Sequence, residues 1–371
     1  MPASSGLARL GMVIEEGIEK GLHLGAQVAV SVGDGEVIEA GFGELRPGAA
    51  MRLDGVLPWL SATKAVAAVA IAQLWELGRI DLDEPVASYV PEFGTRGKEG
   101  VTVRHVLTHT GGFRAAPYEF PRDDWATILA AVCDARLEPD WVPGEKAGYH
   151  ITTGWFVLGE LVQRVSGQSF PDYVRSHLFE PLGMMDSYVG MPVEVYQGLR
   201  GRLAVVPDTS KKAWRDGGAD RAWTGEAFLT GCSPASNGCG PARELLRFYE
   251  ALRNGGELDG VRILEDETVE LFTARHRVKL FDHTFKATMD WGLGFILDSK
   301  EYGKEVVPYG YGPYASQYTF GHSGNQSSSA FADPPNGLAA VILWNGTPGE
   351  AAHQERVHRT LGALYEDLEL A

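Results

Sequence analysis

The two ends of this 371-residue chain carry the same kind of pattern, and that repetition narrows the folds open to it. An amphipathic stretch over residues 7–20 precedes two strand-like runs, 26–32 and 36–43, joined by Gly33-Asp34-Gly35. At the far end, runs 327–333 and 338–344 flank Pro334-Pro335-Asn336-Gly337. A helical pattern over 350–368 follows, with Val357, Leu361 and Leu364 on one face. Strand-like runs closed by Gly-rich turns predict antiparallel hairpins. Helices beside both hairpins predict that the two ends share one sheet. The middle reads differently, with helices expected over 101–109, 155–166, 171–180 and 242–254 between Gly- and Pro-rich loops. The expected fold is therefore α/β (α+β): a central antiparallel sheet flanked by N- and C-terminal helices, with an inserted, mostly helical domain. Residues 1–80 and 284–371 would form the sheet domain and 81–283 the insertion.

Composition sets the outer limits. With 44% hydrophobic and 22% charged residues the chain can bury a large core. A net charge of −16 argues against nucleic acid or anionic membrane as a partner. Cys133, Cys232 and Cys239 are odd in number and lack zinc-type spacing, so reduced thiols are expected. Residues 1–5 show no basic segment leading into an apolar one, and no run is long enough to span a membrane. A cytoplasmic location is the resulting expectation. Oligomeric state is not legible.

Ser61-Ala62-Thr63-Lys64 is the one place where a lysine follows a serine by three residues. It opens a run free of Gly and Pro up to Leu77, with Val66, Val69, Ala70, Leu74 and Leu77 at helical spacing. A serine at a helix N-terminus meets unpaired N–H groups and a favourable dipole for developing negative charge. A lysine one turn on lies on the same face. Chance alone supplies roughly one Ser-x-x-Lys in a chain of this size. The alanines at 62, 65, 67 and 68, however, make the helix small and apolar, hence enclosed. An enclosed lysine needs a partner or a lowered pKa, which is how lysines become bases.

Tyr149 ends the loop that starts at Trp141, just before a helix near Thr153. A phenol there could supply a second proton-transfer group, lowered by a neighbouring ammonium; His150 is the rival base. Phe320-Gly321-His322-Ser323-Gly324-Asn325 precedes the last hairpin and reads as a strand edge. Its glycines would admit a substrate carbonyl to a main-chain N–H. His105 and His109 stand at metal-ligand spacing, but no glutamate of the zinc-protease kind or third ligand accompanies them, and no metal is expected. Gly41-Phe42-Gly43 lacks the third glycine of a dinucleotide site. Tyr302, Tyr309, Tyr311, Tyr314 and Tyr318 form either a site wall or a packed surface loop.

Taken in order, these segments resemble the serine β-lactamase and penicillin-binding-protein superfamily, and within it the class C β-lactamase-like esterases (family VIII carboxylesterases). Ser61-x-x-Lys64 matches the first motif, Tyr149-His150 with Gly154-Trp155 the Tyr-His variant of the second, and His322-Ser323-Gly324 the third with His in place of Lys. Residues 77–86, the segment 103–112 with its histidines, and Glu180-Pro181-Leu182-Gly183-Met184 look like further landmarks. The resemblance covers nearly the whole chain and implies a site between a sheet domain and a helical domain.

By the same resemblance Ser61 is the nucleophile and Lys64 and Tyr149 share its proton. The N–H groups of Ser61 and Asn325 bind the oxyanion, and His322, Ser323, Gly324, His150 and Ile151 face the substrate. Two departures bear on specificity. Ile151 occupies the place of the asparagine that holds a β-lactam amide, and His322 replaces the lysine that attracts its carboxylate. A small-molecule ester cleaved through an acyl-enzyme, without metal or organic cofactor, is the expected chemistry. A β-lactamase, D-amino-acid peptidase, amidase or acyltransferase on the same scaffold is the alternative, and a non-catalytic binding protein the remote one.

Overall fold

The computed structural model describes residues 6–33, 35–211, 214, 221–303 and 308–371. Asp34 of the first hairpin turn and residues 1–5, on which the N-terminal reading rests, lie outside them. The elements that frame the site are α1 (Ala8–Glu19), β1 (Gly25–Val32), β2 (Ile38–Arg46), β3 (Ala49–Ala50), α2 (Thr63–Glu76), α3 (Thr153–Ser166), α4 (Ala242–Arg253), β4 (Ile296–Leu297), β5 (Phe320–Gly324), β6 (Ser328–Asp333), β7 (Leu338–Trp344) and α5 (Glu350–Asp367).

The two ends do share one sheet. Its order is β4-β5-β6-β7-β1-β2-β3, and every neighbouring pair is antiparallel. The N- and C-terminal hairpins meet along β1 and β7, where Ala26 faces Trp344 and Val32 faces Leu338. Side-chain alternation gives each face its own core. Val28, Val30, Leu338, Ala340 and Ile342 pack under α1 and α5 with Leu10, Ile14, Leu361 and Leu364. Ala29, Ala339, Val341 and Leu343 turn to the other side, into the core that holds α2, α3 and α4. Both faces are covered, so β1 and β7 read as nearly continuous apolar runs.

Helix α4 falls within the segment assigned to the helical insertion, yet it lies on β1, β6 and β7. Gln27 explains part of this placement. Its amide projects from β1, accepts the Ala242 N–H at the start of α4 (2.9 Å) and donates to Gly55 O (2.9 Å). A buried amide satisfied at both ends locks sheet, helix and the chain leading to Ser61 together.

The central helix differs slightly from expectation. Ser61 belongs to a 3-10 turn, Leu60–Ala62, and the α-helix proper starts at Thr63, two residues past the serine expected to open it. Lys64 and all apolar positions up to Leu74 are buried, as a helix apolar on every side must be. The strand carrying His322 is also not a simple edge. Phe320 and Gly321 pair with β4, while beyond them the outer side of His322–Gly324 has no strand neighbour among the described residues. No helix among the described residues is long and apolar enough to cross a membrane.

Leu361 on α5 is fully buried between the terminal helices and the sheet. Leu361→Ala should destabilise the fold by about 2–5 kcal/mol. In a urea titration the midpoint should fall with the slope unchanged.

Candidate active site

Four segments distant in sequence meet around Ser61, and the first is the turn that carries it. Leu60 adopts φ +49°, a left-handed conformation unfavourable for leucine, and this swings Ser61 to the head of α2. The turn is gripped from two sides. On one, Trp59 N–H donates to Gly238 O (2.7 Å), Gly238 N–H donates to Thr63 Oγ1 (2.8 Å), and Thr63 Oγ1 donates to Leu60 O (2.6 Å). On the other, Ser328 Oγ on β6 donates to Trp59 O (2.9 Å) and accepts the Gly324 N–H (2.8 Å). A Cβ on Gly324 would stand 2.3 Å from Trp59 O, so only glycine lets β5 come this close to the nucleophile turn.

Ser61 itself is half-buried. Its N–H precedes the first hydrogen bond of the turn, which runs from Ala62 N–H to Trp59 O (3.2 Å), and no partner for it is seen among the described residues. Asn325 follows β5 directly as an exposed turn residue. These are the two backbone donors the sequence pointed to.

Lys64 is fully buried one helical turn from Ser61. Its Nζ lies 3.0 Å from Ser61 Oγ and donates to Ala235 O (2.9 Å). Desolvation alone drives its pKa well below the usual lysine range, and no carboxylate among the described residues pairs with it. Tyr149 caps the group: its side chain neighbours Ser61, and Lys64 Nζ lies 5.1 Å from its ring centre. The phenol moves opposite to the expected direction. Burial raises its pKa above the ordinary value, with the Ser61 hydrogen bond opposing and the Asp282 charge adding to the rise. Burial thus shifts both groups the same way in effect, favouring the uncharged amine of Lys64 and the uncharged phenol of Tyr149.

Asp282 holds the tyrosine's backbone. Its Oδ1 accepts the N–H groups of Tyr149 (3.1 Å), Thr284 (2.8 Å) and Phe285 (2.9 Å), while its Oδ2 pairs with the buried Arg277 (3.0 Å). Arg277 also donates to Thr108 O (3.2 Å) and stacks on Trp291 (5.2 Å). Phe285 packs on the Tyr149 ring (4.6 Å), and Tyr309 on Phe285 (5.8 Å). Of the tyrosine-rich loop, then, Tyr309 reaches the site wall. Tyr311 is core, its hydroxyl on Ile296 O (2.9 Å), and Tyr318 is 66% exposed.

His150, expected as a rival base or substrate contact, does neither here. It is fully buried, its Nε2 accepts the Phe113 N–H (3.2 Å), and burial pushes it down to about 4. It stacks on His109, which in turn packs on Tyr149 (4.6 Å) and Trp291 (4.5 Å). Both histidines thus brace the wall behind Tyr149. His105 closes a capping box with Thr102 at the short helix Val103–Leu107. Among the described residues no group of three or more His, Cys, Asp or Glu stands where it could hold a metal.

His322 lies beside Tyr149, ring centres 6.1 Å apart, and burial with the nearby Lys64 lowers it to about 3. It is neutral, and its Nε2 and Ser323 Oγ have no hydrogen-bond partner among the described residues. Ile151 stands 58% exposed two residues past Tyr149. Sequence reading missed Ala235, Gly238, Ser328, Asp282 and Arg277. Ser233-Pro234-Ala235-Ser236-Asn237-Gly238, dense in turn-forming residues, was the one signal available.

Ser61, Lys64 and Tyr149 thus meet at the head of α2 on a mixed α/β scaffold. The chain belongs to the Beta-lactamase family, whose model matches residues 12–364. It is 30% identical over 319 residues to the esterase/beta-lactamase LipL of Mycobacterium tuberculosis (strain ATCC 25618 / H37Rv), covering 78% of this chain and 71% of that protein. Among solved structures it is similar to a penicillin-binding protein homolog from Caulobacter crescentus (TM-score 0.79, 28% identity, 97% and 98% coverage). It is also similar to a family VIII carboxylesterase (TM-score 0.78, 26% identity, 98% of each chain). The chain is thus a β-lactamase-fold hydrolase.

Gly324→Ala tests the close approach at the nucleophile turn. We expect a folded protein by circular dichroism with turnover reduced about 100-fold or more, because β5 must move away from Trp59.

Proposed function

We propose that this protein is a serine carboxylesterase acting on neutral small-molecule esters through an acyl-enzyme on Ser61. The observation that carries the reading is Lys64: a fully buried amine, lowered in pKa by desolvation and 3.0 Å from Ser61 Oγ. The neutral amine takes the Ser61 proton as Oγ attacks the ester carbonyl. The N–H groups of Ser61 and Asn325 receive the developing oxyanion, an interaction worth roughly 10²–10³ in kcat per donor. Tyr149 relays that proton to the departing alcohol, and the same pair then draws a proton from the deacylating water.

Specificity follows from what lines the cleft. His322 is neutral where a cation would favour a carboxylate, and Ile151 offers no amide to hold an acylamino group. Ester hydrolysis requires neither. The likeness to LipL and to a family VIII carboxylesterase supports the esterase reading, and the likeness to a penicillin-binding protein homolog keeps peptide-like acyl donors as the comparison to make.

The purified protein should hydrolyse a short-chain nitrophenyl ester and leave a chromogenic cephalosporin intact. Turnover of the cephalosporin alone would overturn the esterase assignment. Ser61→Ala should abolish turnover and labelling by a fluorophosphonate. Lys64→Ala and Tyr149→Phe should each cost about 10³-fold or more in kcat, with the double variant little worse than either, because the two act as one unit.

The pH profile carries its own sign. Lys64 works unprotonated and its pKa lies below the usual lysine value, so activity is present above that lowered pKa and lost on acidification through it. Tyr149 works protonated with its pKa raised, so no alkaline limb should appear below the ordinary tyrosine range of about 10. A kcat/KM profile falling on the alkaline side near neutrality would contradict this proton arrangement.

A further inference from the structure

Helix α5 buries a cation with no anion beside it among the described residues. Arg356 is 4% exposed, and the oxygens it bonds there are main-chain carbonyls. It donates to Gln326 O (2.9 Å), Leu22 O (3.3 Å) and Gly346 O (3.3 Å), and to Nδ1 of His23 (3.1 Å) and His353 (2.9 Å). Its guanidinium also lies over the Trp344 ring at 4.7 Å. Because Arg356 only donates, both imidazoles must offer a lone pair at Nδ1 and carry their proton on Nε2. His23 Nε2 then donates to Ile14 O (3.2 Å). Burial and the neighbouring guanidinium keep both rings neutral, and desolvation lowers Arg356 itself to about 9.

Taking a guanidinium out of water is costly, and packing α5 onto the sheet does not require it. Leu361 and Leu364 already do that. What Arg356 reaches that no apolar side chain could is Gln326, the residue after Asn325 in the β5–β6 turn. Gln326 adopts φ +51°, unfavourable for a residue with a Cβ, so the turn needs outside support. Beyond its own Ser327 N–H to Gly324 O bond (3.2 Å), the turn is supported by the end of β7, by α5 and by the residue before it. Gln326 Oε1 accepts the Gly349 N–H (2.7 Å), its amide donates to Glu350 (3.3 Å), Ser327 O accepts the Trp344 N–H (2.7 Å), and Gln326 O accepts from Arg356.

We propose that Arg356 is a positioning residue for the oxyanion hole: by fixing the Gln326 carbonyl from below, it holds the β5–β6 turn in the conformation that aims the Asn325 N–H, two peptide units earlier, at the reacting carbonyl oxygen. The proposal rests on the acyl-transfer reading of Ser61 and assigns a part of its machinery that sequence motifs do not reach. A rigid fork of donors suits this task better than an ammonium, because it holds Gln326 O and Gly346 O at fixed separation.

Phosphonylation of Ser61 by a fluorophosphonate builds negative charge in the same hole whatever the natural substrate, so its rate is the first readout, beside kcat and KM for a nitrophenyl ester. For Arg356→Gln we expect both rates to fall about 100-fold with KM within about threefold, and for Arg356→Lys about 10-fold. Leu361→Ala on the same helix is the control: it should lower the melting temperature without moving the phosphonylation rate measured below melting. Arg356→Lys keeps the charge and carries the test if the glutamine variant does not fold. Wild-type rates in either folded Arg356 variant would overturn the proposal, as would losses that appear in KM alone. Failure of the wild-type protein to take the label at Ser61 would instead sink the reading of the site, and this proposal with it.

Discussion

The constraint on which the rest of the site depends is the burial of the Lys64 amine. An ammonium in that position would have one carbonyl and one hydroxyl for company, far short of the hydration it gives up. Desolvation therefore lowers its pKa and favours the neutral amine, the form in which it can take a proton from a serine nucleophile. The same low-dielectric surroundings act on every titratable neighbour. They lower His322 and His150, raise Tyr149, and favour the uncharged form of each. In the proposed mechanism charge arises during the reaction, positive on Lys64 as it takes the Ser61 proton and negative on the substrate oxygen, where backbone dipoles are already in place.

Such a centre tolerates little slack, and the fold supplies rigidity from far along the chain. The Trp59–Thr63 segment is held by Gly238 on one side and by Ser328 with Gly324 on the other. Tyr149 is held through Asp282 and Arg277. Three of the strained left-handed residues, Leu60, His109 and Gln326, sit at the nucleophile, behind the tyrosine and beside the oxyanion donor. Each costs about 1–3 kcal/mol. They persist because hydrogen bonds from separate elements determine their conformation more strongly than their own torsional preference does.

What sequence could reveal follows from this division. Both hairpins, the terminal helices and α2 rest on local periodicity, so their positions were legible to within a few residues. Ser61, Lys64, Tyr149 and His322 were legible as motif residues, and the structure brings them together. The supporting groups were not. Ser328 and Asp282 act on partners more than 100 positions away, and nothing in their local sequence marks them. His150 misled for a related reason. Its unperturbed pKa suits a base, but burial and the Phe113 N–H remove it from that role, and neither can be read from one dimension.

The way specificity is separated from chemistry follows from the same architecture. In the proposed mechanism bond cleavage depends on main-chain donors and on Lys64 and Tyr149, all fixed by packing. Recognition would fall to other side chains: Ile151, largely exposed, and the buried His322 and Ser323, whose Nε2 and Oγ have no hydrogen-bond partner among the described residues. Exposed or unpartnered groups can change identity with little effect on folding, whereas Lys64 or Gly324 cannot. A scaffold built this way can exchange charged recognition for neutral recognition while its reacting groups stay in place. In this chain neutral groups occupy the two positions, which is the physical basis for reading it as an enzyme of uncharged esters.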